Sequence, residues 1–311
     1  MPDKKTHFDT SGHQYEGSSI DGKIIRGVLW ALLAGLLFGG LGILVQQAKG
    51  EIPASEMVFT RCVVGVVGLA PWVWRRLSDV WGPAAPYLWI RGLAGAGSMS
   101  AYFWTLQNTA YGTAVALTLL AGIFIVVFSS LWLGEKVSFP EAGAIGVVLL
   151  GALLLYLPES TRPSGMVTFV GVVGSVCGAA ALLSLRRVAG MVDSLLIVWF
   201  FYFVTMVVSL MTPSEPWVWP SGGRLWGIVL GVGLAGLFAQ IFLTWSFRRL
   251  RAPIASSLVL SRMLWGILIE MVFFWVVPSS SEWFSYGLML TGVIFLSLLQ
   301  RQPGRTSSGT S

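Results

Sequence analysis

Charge is what this 311-residue sequence has least of: Asp, Glu, Lys and Arg together make up 11% of it, against about 25% in ordinary soluble domains. A chain so poor in charge cannot coat a water-facing surface, which excludes a soluble enzyme and a disordered protein. Cysteine is scarce as well. Cys62 and Cys177 each sit inside an apolar run, and neither has a partner at metal-ligand spacing, so a disulfide scaffold or metal site gives way to plain packing. The two histidines, His7 and His13, lie in the polar N-terminal tail, and no aspartate falls within an apolar run. The metalloprotease, Ser–His and paired-Asp classes of intramembrane enzyme therefore lack their reacting groups. No phosphate-binding Walker motif is present, so ATP hydrolysis is not expected, and no cofactor or metal is implied. A channel filter of the TVGYG type and an Arg-repeat voltage sensor are missing too.

What the sequence has is hydrophobicity. Apolar residues make up 55% of it and the mean hydropathy is +0.76. A bilayer core about 30 Å thick takes roughly 20 apolar residues per helix. Apolar runs between polar or Pro/Gly-marked breaks give ten such segments, at 24–47, 54–74, 87–107, 112–133, 139–157, 165–185, 194–211, 224–247, 253–277 and 283–299. The fold class expected is therefore an all-α polytopic membrane protein of ten transmembrane helices. The connections are too short to hold a soluble domain. The tail before Lys23 lacks the apolar stretch of a signal peptide, so the first helix is expected to target the chain.

Basic residues set the expected orientation. With the N-terminus inside, one side of the membrane collects fourteen of them: Lys4, Lys5, Lys23, Arg26, Arg75, Arg76, Lys136, Arg186, Arg187, Arg248, Arg249, Arg251, Arg301 and Arg305. The other side holds Lys49, Arg162 and Arg224, while Arg61, Arg91 and Arg262 fall within spans. Both termini are thus expected in the cytoplasm, as polar tails over 1–23 and 300–311. This distribution also accounts for the net charge of +6 without a nucleic-acid partner, leaving the lipid bilayer as the surface these charges meet.

The chain also matches itself at a displacement of 141 residues. Gly92-Leu93-Ala94-Gly95 meets Gly233-Leu234-Ala235-Gly236, Trp104 meets Trp245, and Glu141, Gly146 and Gly151 meet Glu282, Gly287 and Gly292. Near the front the displacement slips to 138, where Gly27 and Gly40 meet Gly165 and Gly178. Two repeats, 24–157 and 165–299, are the expected division. Five helices per repeat is an odd number, so the halves are expected to lie inverted, the arrangement by which many secondary transporters open to either side around a midplane site.

These features resemble the EamA-type members of the drug/metabolite transporter superfamily. The likeness rests on Pro53, Glu56 and Arg61 at the start of the second segment, on Ala101-Tyr102-Phe103-Trp104-Thr105-Leu106 in the third, and on Leu133-Gly134-Glu135 closing the fourth. It extends from Gly27 to Leu299. The chain departs from the family pattern where Gly122 replaces a proline in the fourth segment, and where Phe274-Trp275-Val276 stands in place of a second Leu-Gly-Glu. The resemblance implies a secondary transporter of small metabolites in a bacterial inner membrane, with amino-acid export the leading expectation and an importer or exchanger of nucleotide-like or organic anions the alternative. Small multidrug-resistance relatives use a glutamate in the first helix for cations and protons. No acidic residue stands in the first segment here, which disfavours a cation pump. Oligomeric state is left open, with a monomer sufficient.

Some residues stand out as carriers of transport. Arg262 lies about nine residues into the ninth segment, some 14 Å deep, where an arginine is costly unless it faces a cavity or counter-charge. It is the first candidate for a substrate carboxylate, against a structural tie to backbone carbonyls or Glu270. Tyr102, Tyr202 and Trp265 are aromatic at depth and are candidates for the pocket wall; Gln240 and Ser261 are polar groups that complete it or bond across helices. Arg61 and Glu270 lie at similar depth and are candidates for a gating ion pair, while Glu135 and Gly122 are candidates for gating at the end and bend of the fourth segment. Arg91, only about four residues into its span, is expected to snorkel to the headgroups.

Overall fold

The structure, a computed structural model, describes residues 14–128, 131, 138–154, 163–211, 217–275 and 279–300. These form twelve α-helices and one 3-10 helix, with no strand among the described residues. An unbroken helix satisfies every backbone N–H and C=O within one segment, which is what apolar surroundings demand. The helices are α1 (Gln14–Gln47), α2 (Ala54–Val73), α3 (Ala85–Asn108), α4 (Tyr111–Leu119), α5 (Ala121–Phe128) and α6 (Phe139–Leu154). They continue with α7 (Gly165–Val188), α8 (Ser194–Met211), α9 (Gly222–Phe247), α10 (Ala252–Val259), α11 (Arg262–Phe274) and α12 (Ser280–Gln300). By length and composition five helical stretches suffice to cross a membrane: Gly22–Gln47, Ala54–Trp81, Gly165–Val188, Ser194–Met211 and Gly222–Phe247. Pro71 sits near the end of α2, and beyond it the chain tightens into the 3-10 helix Trp74–Trp81, as expected where a proline removes a donor and crowds the preceding turn.

Two of the ten expected segments are each split into two helices. The first breaks at Leu120, whose N–H turns to Leu117 O at 3.2 Å while the Thr118 hydroxyl donates to Val115 O at 2.7 Å. The second breaks at Leu260 and Ser261, where Ser261 N–H reaches Leu258 O at 3.1 Å and Met263 N–H reaches Leu260 O at 3.1 Å. In each case an i to i−3 bond tightens the turn and the α ladder lapses. The bend expected at Gly122 therefore falls two residues earlier.

Helix pairs α1 and α9, α3 and α7, α2 and α8, and α6 and α12 pack along their lengths. Glycines set how closely they approach. A Cβ on Gly92 of α3 would lie 2.9 Å from Val204 of α8, and one on Gly233 of α9 would lie 2.7 Å from Val64 of α2. Gly95 likewise meets the Phe201 ring and Gly236 the Arg61 side chain. In α6 and α12 a Cβ on Gly151 would stand 2.7 Å from Ser285 O and one on Gly292 2.9 Å from Ala144 O.

The basic side chains at one end of the bundle, here called the basic end, are not left to face lipid alone. Arg76 pairs with Asp193 at 2.7 Å, Arg248 donates to Ser194 Oγ at 2.7 Å, and Arg186 donates to Phe247 O at 2.8 Å. Glu141 is 7% exposed and pairs with Arg251 at 2.7 Å. Its other oxygen accepts from Ser138 N–H at 2.8 Å and from the Ser138 hydroxyl at 2.9 Å, a capping arrangement at the start of α6. Glu141→Ala is expected to cost about 1–3 kcal/mol, read as a lower thermal midpoint of the purified protein. At the opposite end Gln46 Nε2 donates to Leu106 O and Thr109 O at 3.1 and 3.0 Å, Gln107 donates to Ile52 O at 2.8 Å, and Arg224 pairs with Glu51.

Helix α11 ends at Trp275, which takes a left-handed conformation with φ 55°. An L side chain there costs roughly 1–2 kcal/mol, and the indole is 86% exposed. Trp275→Gly is therefore expected to raise stability by about 1 kcal/mol, with an unchanged or lower thermal midpoint counting against it.

Candidate functional site

The two helix breaks face one cavity of about 140 Å³ in the middle of the bundle. It extends from Phe38 and Thr118 at mid-bundle to Leu182, Leu243 and Ser256, which lie nearer the basic end of their helices. Outside the lining, Tyr111 is buried between α1 and α11 and donates to Arg262 O at 3.2 Å and Gly39 O at 3.5 Å.

Three guanidinium groups meet in this cavity. Arg262 is the first residue of α11, immediately past the second break. Its Nη2 donates to the Thr118 hydroxyl beside the first break, and its guanidinium carbon lies 5.1 Å from the Tyr102 ring centroid. Arg61 is 2% exposed, donates from Nη1 to Met99 Sδ at 2.8 Å, and is ringed by Phe38, Phe103 and Tyr202 at 5.9, 5.6 and 5.7 Å. Arg91 is 4% exposed, donates to Gln240 Oε1 at 2.9 Å and stacks over Phe201 at 4.5 Å. Aromatic faces and neutral acceptors soften the loss of water around these cations, but they supply no countercharge. Among the described residues no aspartate or glutamate lines the cavity. Arg61 Nε and Nη2, Arg91 Nε and Arg262 Nε are buried without a hydrogen-bond acceptor there. Guanidinium holds its proton throughout the accessible pH range, so the cavity stays cationic.

The expected site residues divide into two sets. Arg262, Tyr102, Gln240 and Gly122 line the cavity, and Arg61 joins them there. Arg61 turns to Met99 and to aromatic rings, and Glu270 lies two turns along α11 outside the lining. The other candidates are not among the cavity's described lining residues. Tyr202 is fully buried behind Arg61, with its ring against Gly65. Ser261 points its hydroxyl at Gly35 of α1, and Trp265 packs its Cβ toward Gly39. A polar or aromatic residue at depth has several helix faces to choose from, and here the α1 contact takes two of them. Glu135 lies outside the described residues.

Sequence reasoning missed Arg91 as a cavity residue. Its distance from the end of the span suggested snorkelling, yet the guanidinium turns inward because Phe201 and Gln240 offer a face and an acceptor. Gln240 itself was the available signal, as an acceptor on the facing α9. Thr118 was missed because nothing in Leu117-Thr118-Leu119-Leu120 marks a helix break.

The sequence profile of the EamA-like transporter family matches residues 25–157. The pseudopaline exporter CntI of Pseudomonas aeruginosa is 30% identical over 230 residues, which span 74% of this chain and 81% of that protein. Mouse solute carrier family 35 member G1 is 25% identical, with 86% of this chain and 76% of that protein covered. A riboflavin transporter of Rhizobium johnstonii is 23% identical, with 88% and 91% covered. A crystal structure shares the fold at a TM-score of 0.72 and 22% identity, covering 88% of this chain and 97% of its own.

Proposed function

This chain belongs to the EamA-like transporter family of the drug/metabolite transporter superfamily, and from that premise we propose that it is a secondary transporter of small metabolites bearing more than one anionic group. The carrying observation is a cavity holding Arg61, Arg91 and Arg262 with no carboxylate among its described lining residues. Three buried cations without countercharge cost several kcal/mol each in an apolar bundle. An anionic substrate offsets that cost, and the planar fork of arginine grips carboxylate or phosphate with two parallel bonds. Amino-acid export fits less well: one α-carboxylate answers one guanidinium, and the α-ammonium finds no acid beside it. The organic-anion alternative is therefore the stronger reading. Arg262, Arg61 and Arg91 bind anionic groups in it, Tyr102 and Gln240 position them, and Gly122 leaves room beside the first break. The chain acts as a carrier and not as an enzyme.

In this reading the carrier is built from two inverted five-helix repeats, 24–157 and 165–299, spanning a bacterial inner membrane ten times with both termini in the cytoplasm. Support comes from paired features 141 residues apart. Leu120 and Ser261 mark the two breaks, and the contact of Gly151 with Ser285 is answered by that of Gly292 with Ala144. The Gly92–Val204 and Gly95–Phe201 contacts are answered by Gly233–Val64 and Gly236–Arg61, with the glycines 141 residues apart and their partners 140. Discontinuous helices at matching positions of two halves commonly form the substrate site of inverted-repeat transporters.

The test is thermal stabilisation of the purified protein by citrate, succinate, adenosine monophosphate, glutamate, leucine and lysine at constant ionic strength. Multiply charged anions are expected to raise the midpoint and lysine to leave it unchanged. Equal shifts from lysine or leucine would sink the anion reading.

A further inference from the structure

We propose that this carrier works as an exchanger, in which fast return of the binding site across the membrane requires a second anion from the far side. The inference rests on the anion reading above and concerns the unloaded protein. To change its access, a carrier passes through a state in which the cavity is shut from water at both ends. Carriers lined by Asp, Glu, His or Lys can neutralise themselves in that state by binding or releasing a proton. Here the described lining has none of these, and its charged groups are Arg61, Arg91 and Arg262, which do not deprotonate. The unloaded site thus has no route of its own to neutrality.

Water does not replace the missing charge. A space of about 140 Å³ has room for several waters. They can hydrogen-bond to Arg61 Nε and Nη2, Arg91 Nε and Arg262 Nε, which meet no acceptor among the described residues, but they leave three positive charges confined together. Shutting both ends of the cavity without an anion would isolate those charges completely. With a di- or trianion bound, the same closure encloses a nearly neutral complex. Occlusion is therefore easy when loaded and slow when empty, and that asymmetry makes exchange outpace net flux.

The experiment uses the full chain in proteoliposomes loaded with radiolabelled citrate, with valinomycin and equal potassium on both sides so that net charge movement is not limiting. Efflux is measured into buffer containing chloride, phosphate, succinate or unlabelled citrate at one ionic strength, and succinate and adenosine monophosphate are each run as the internal label in turn. An external organic anion is expected to speed efflux at least about tenfold over chloride, equivalent to about 1.4 kcal/mol off the barrier. The phosphate arm shows whether an inorganic anion serves as the counter-substrate. Saturable efflux that proceeds equally fast into chloride overturns exchange while leaving the anion reading intact. Efflux driven by an imposed pH gradient without an external organic anion or phosphate overturns it as well. If citrate, succinate and adenosine monophosphate neither shift the midpoint nor move, the anion reading fails and exchange falls with it.

Discussion

Replacing Arg262 with glutamine is expected to abolish the thermal shift given by citrate and to weaken its binding by about thirtyfold to several thousandfold, the equivalent of roughly 2–5 kcal/mol. The range follows from what is lost, which is one arm of a desolvated charge pair in a site that excludes most water. Arg262 ties the two breaks together: it heads α11, donates to Thr118 across the cavity and lies over Tyr102. A purely structural role would use the same contacts, so the ligand-free protein has to be measured beside the loaded one. If Arg262 exists to hold the helices, the ligand-free midpoint of Arg262→Gln falls and the citrate shift survives. If it exists to bind anions, one of three crowded cations has been removed, the ligand-free midpoint holds or rises, and the citrate shift disappears. Arg262→Lys keeps the charge without the fork, and an intermediate loss is expected from it.

The second large effect is expected at Gly39, where α1 and α11 touch backbone to backbone. A Cβ there would stand 2.7 Å from Arg262 O and 2.9 Å from Gly266 N. Neither atom can rotate aside, so the helices have to part, and Tyr111 then loses its bonds to Gly39 O and Arg262 O. Gly39→Val is expected to cost about 3 kcal/mol or more, seen as a collapse of the thermal midpoint or loss of a monodisperse species. The neighbouring Gly40 supplies the control. A Cβ at that position meets Ile269 Cδ1 at 3.5 Å, an ordinary contact, so Gly40→Val should stay within about 1 kcal/mol of the parent. Similar behaviour of the two variants would mean that the close approach of α1 and α11 does not constrain the bundle there.

Gly39 and Arg262 also show how far the sequence could be read. Arg262 was legible because an arginine deep in an apolar run is costly enough to need a reason. Gly39 was one of 37 glycines, and nothing in its neighbours marked the crossing point. Arg61 and Arg91 were visible as charges in spans, but their roles were not. The sequence supported an Arg61–Glu270 latch and a snorkelling Arg91. The folded chain turned both arginines inward, because the aromatic faces and acceptors that receive them come from other helices.

By itself the sequence determined that the protein is a bundle of apolar helices and roughly where most of those helices lie along the chain. These are local properties, set by hydropathy, by Gly and Pro punctuation and by residue identity along one segment. Tertiary structure alone decided that two helices break beside one another, that Tyr202, Ser261 and Trp265 face packing contacts, and that three arginines from different helices share one cavity with no acid among its described lining residues. Convergence of that kind depends on which face each helix presents to the others. In a bundle that is apolar on nearly every face, hydrophobic periodicity is too weak to fix that rotation, so close packing at small residues fixes it instead.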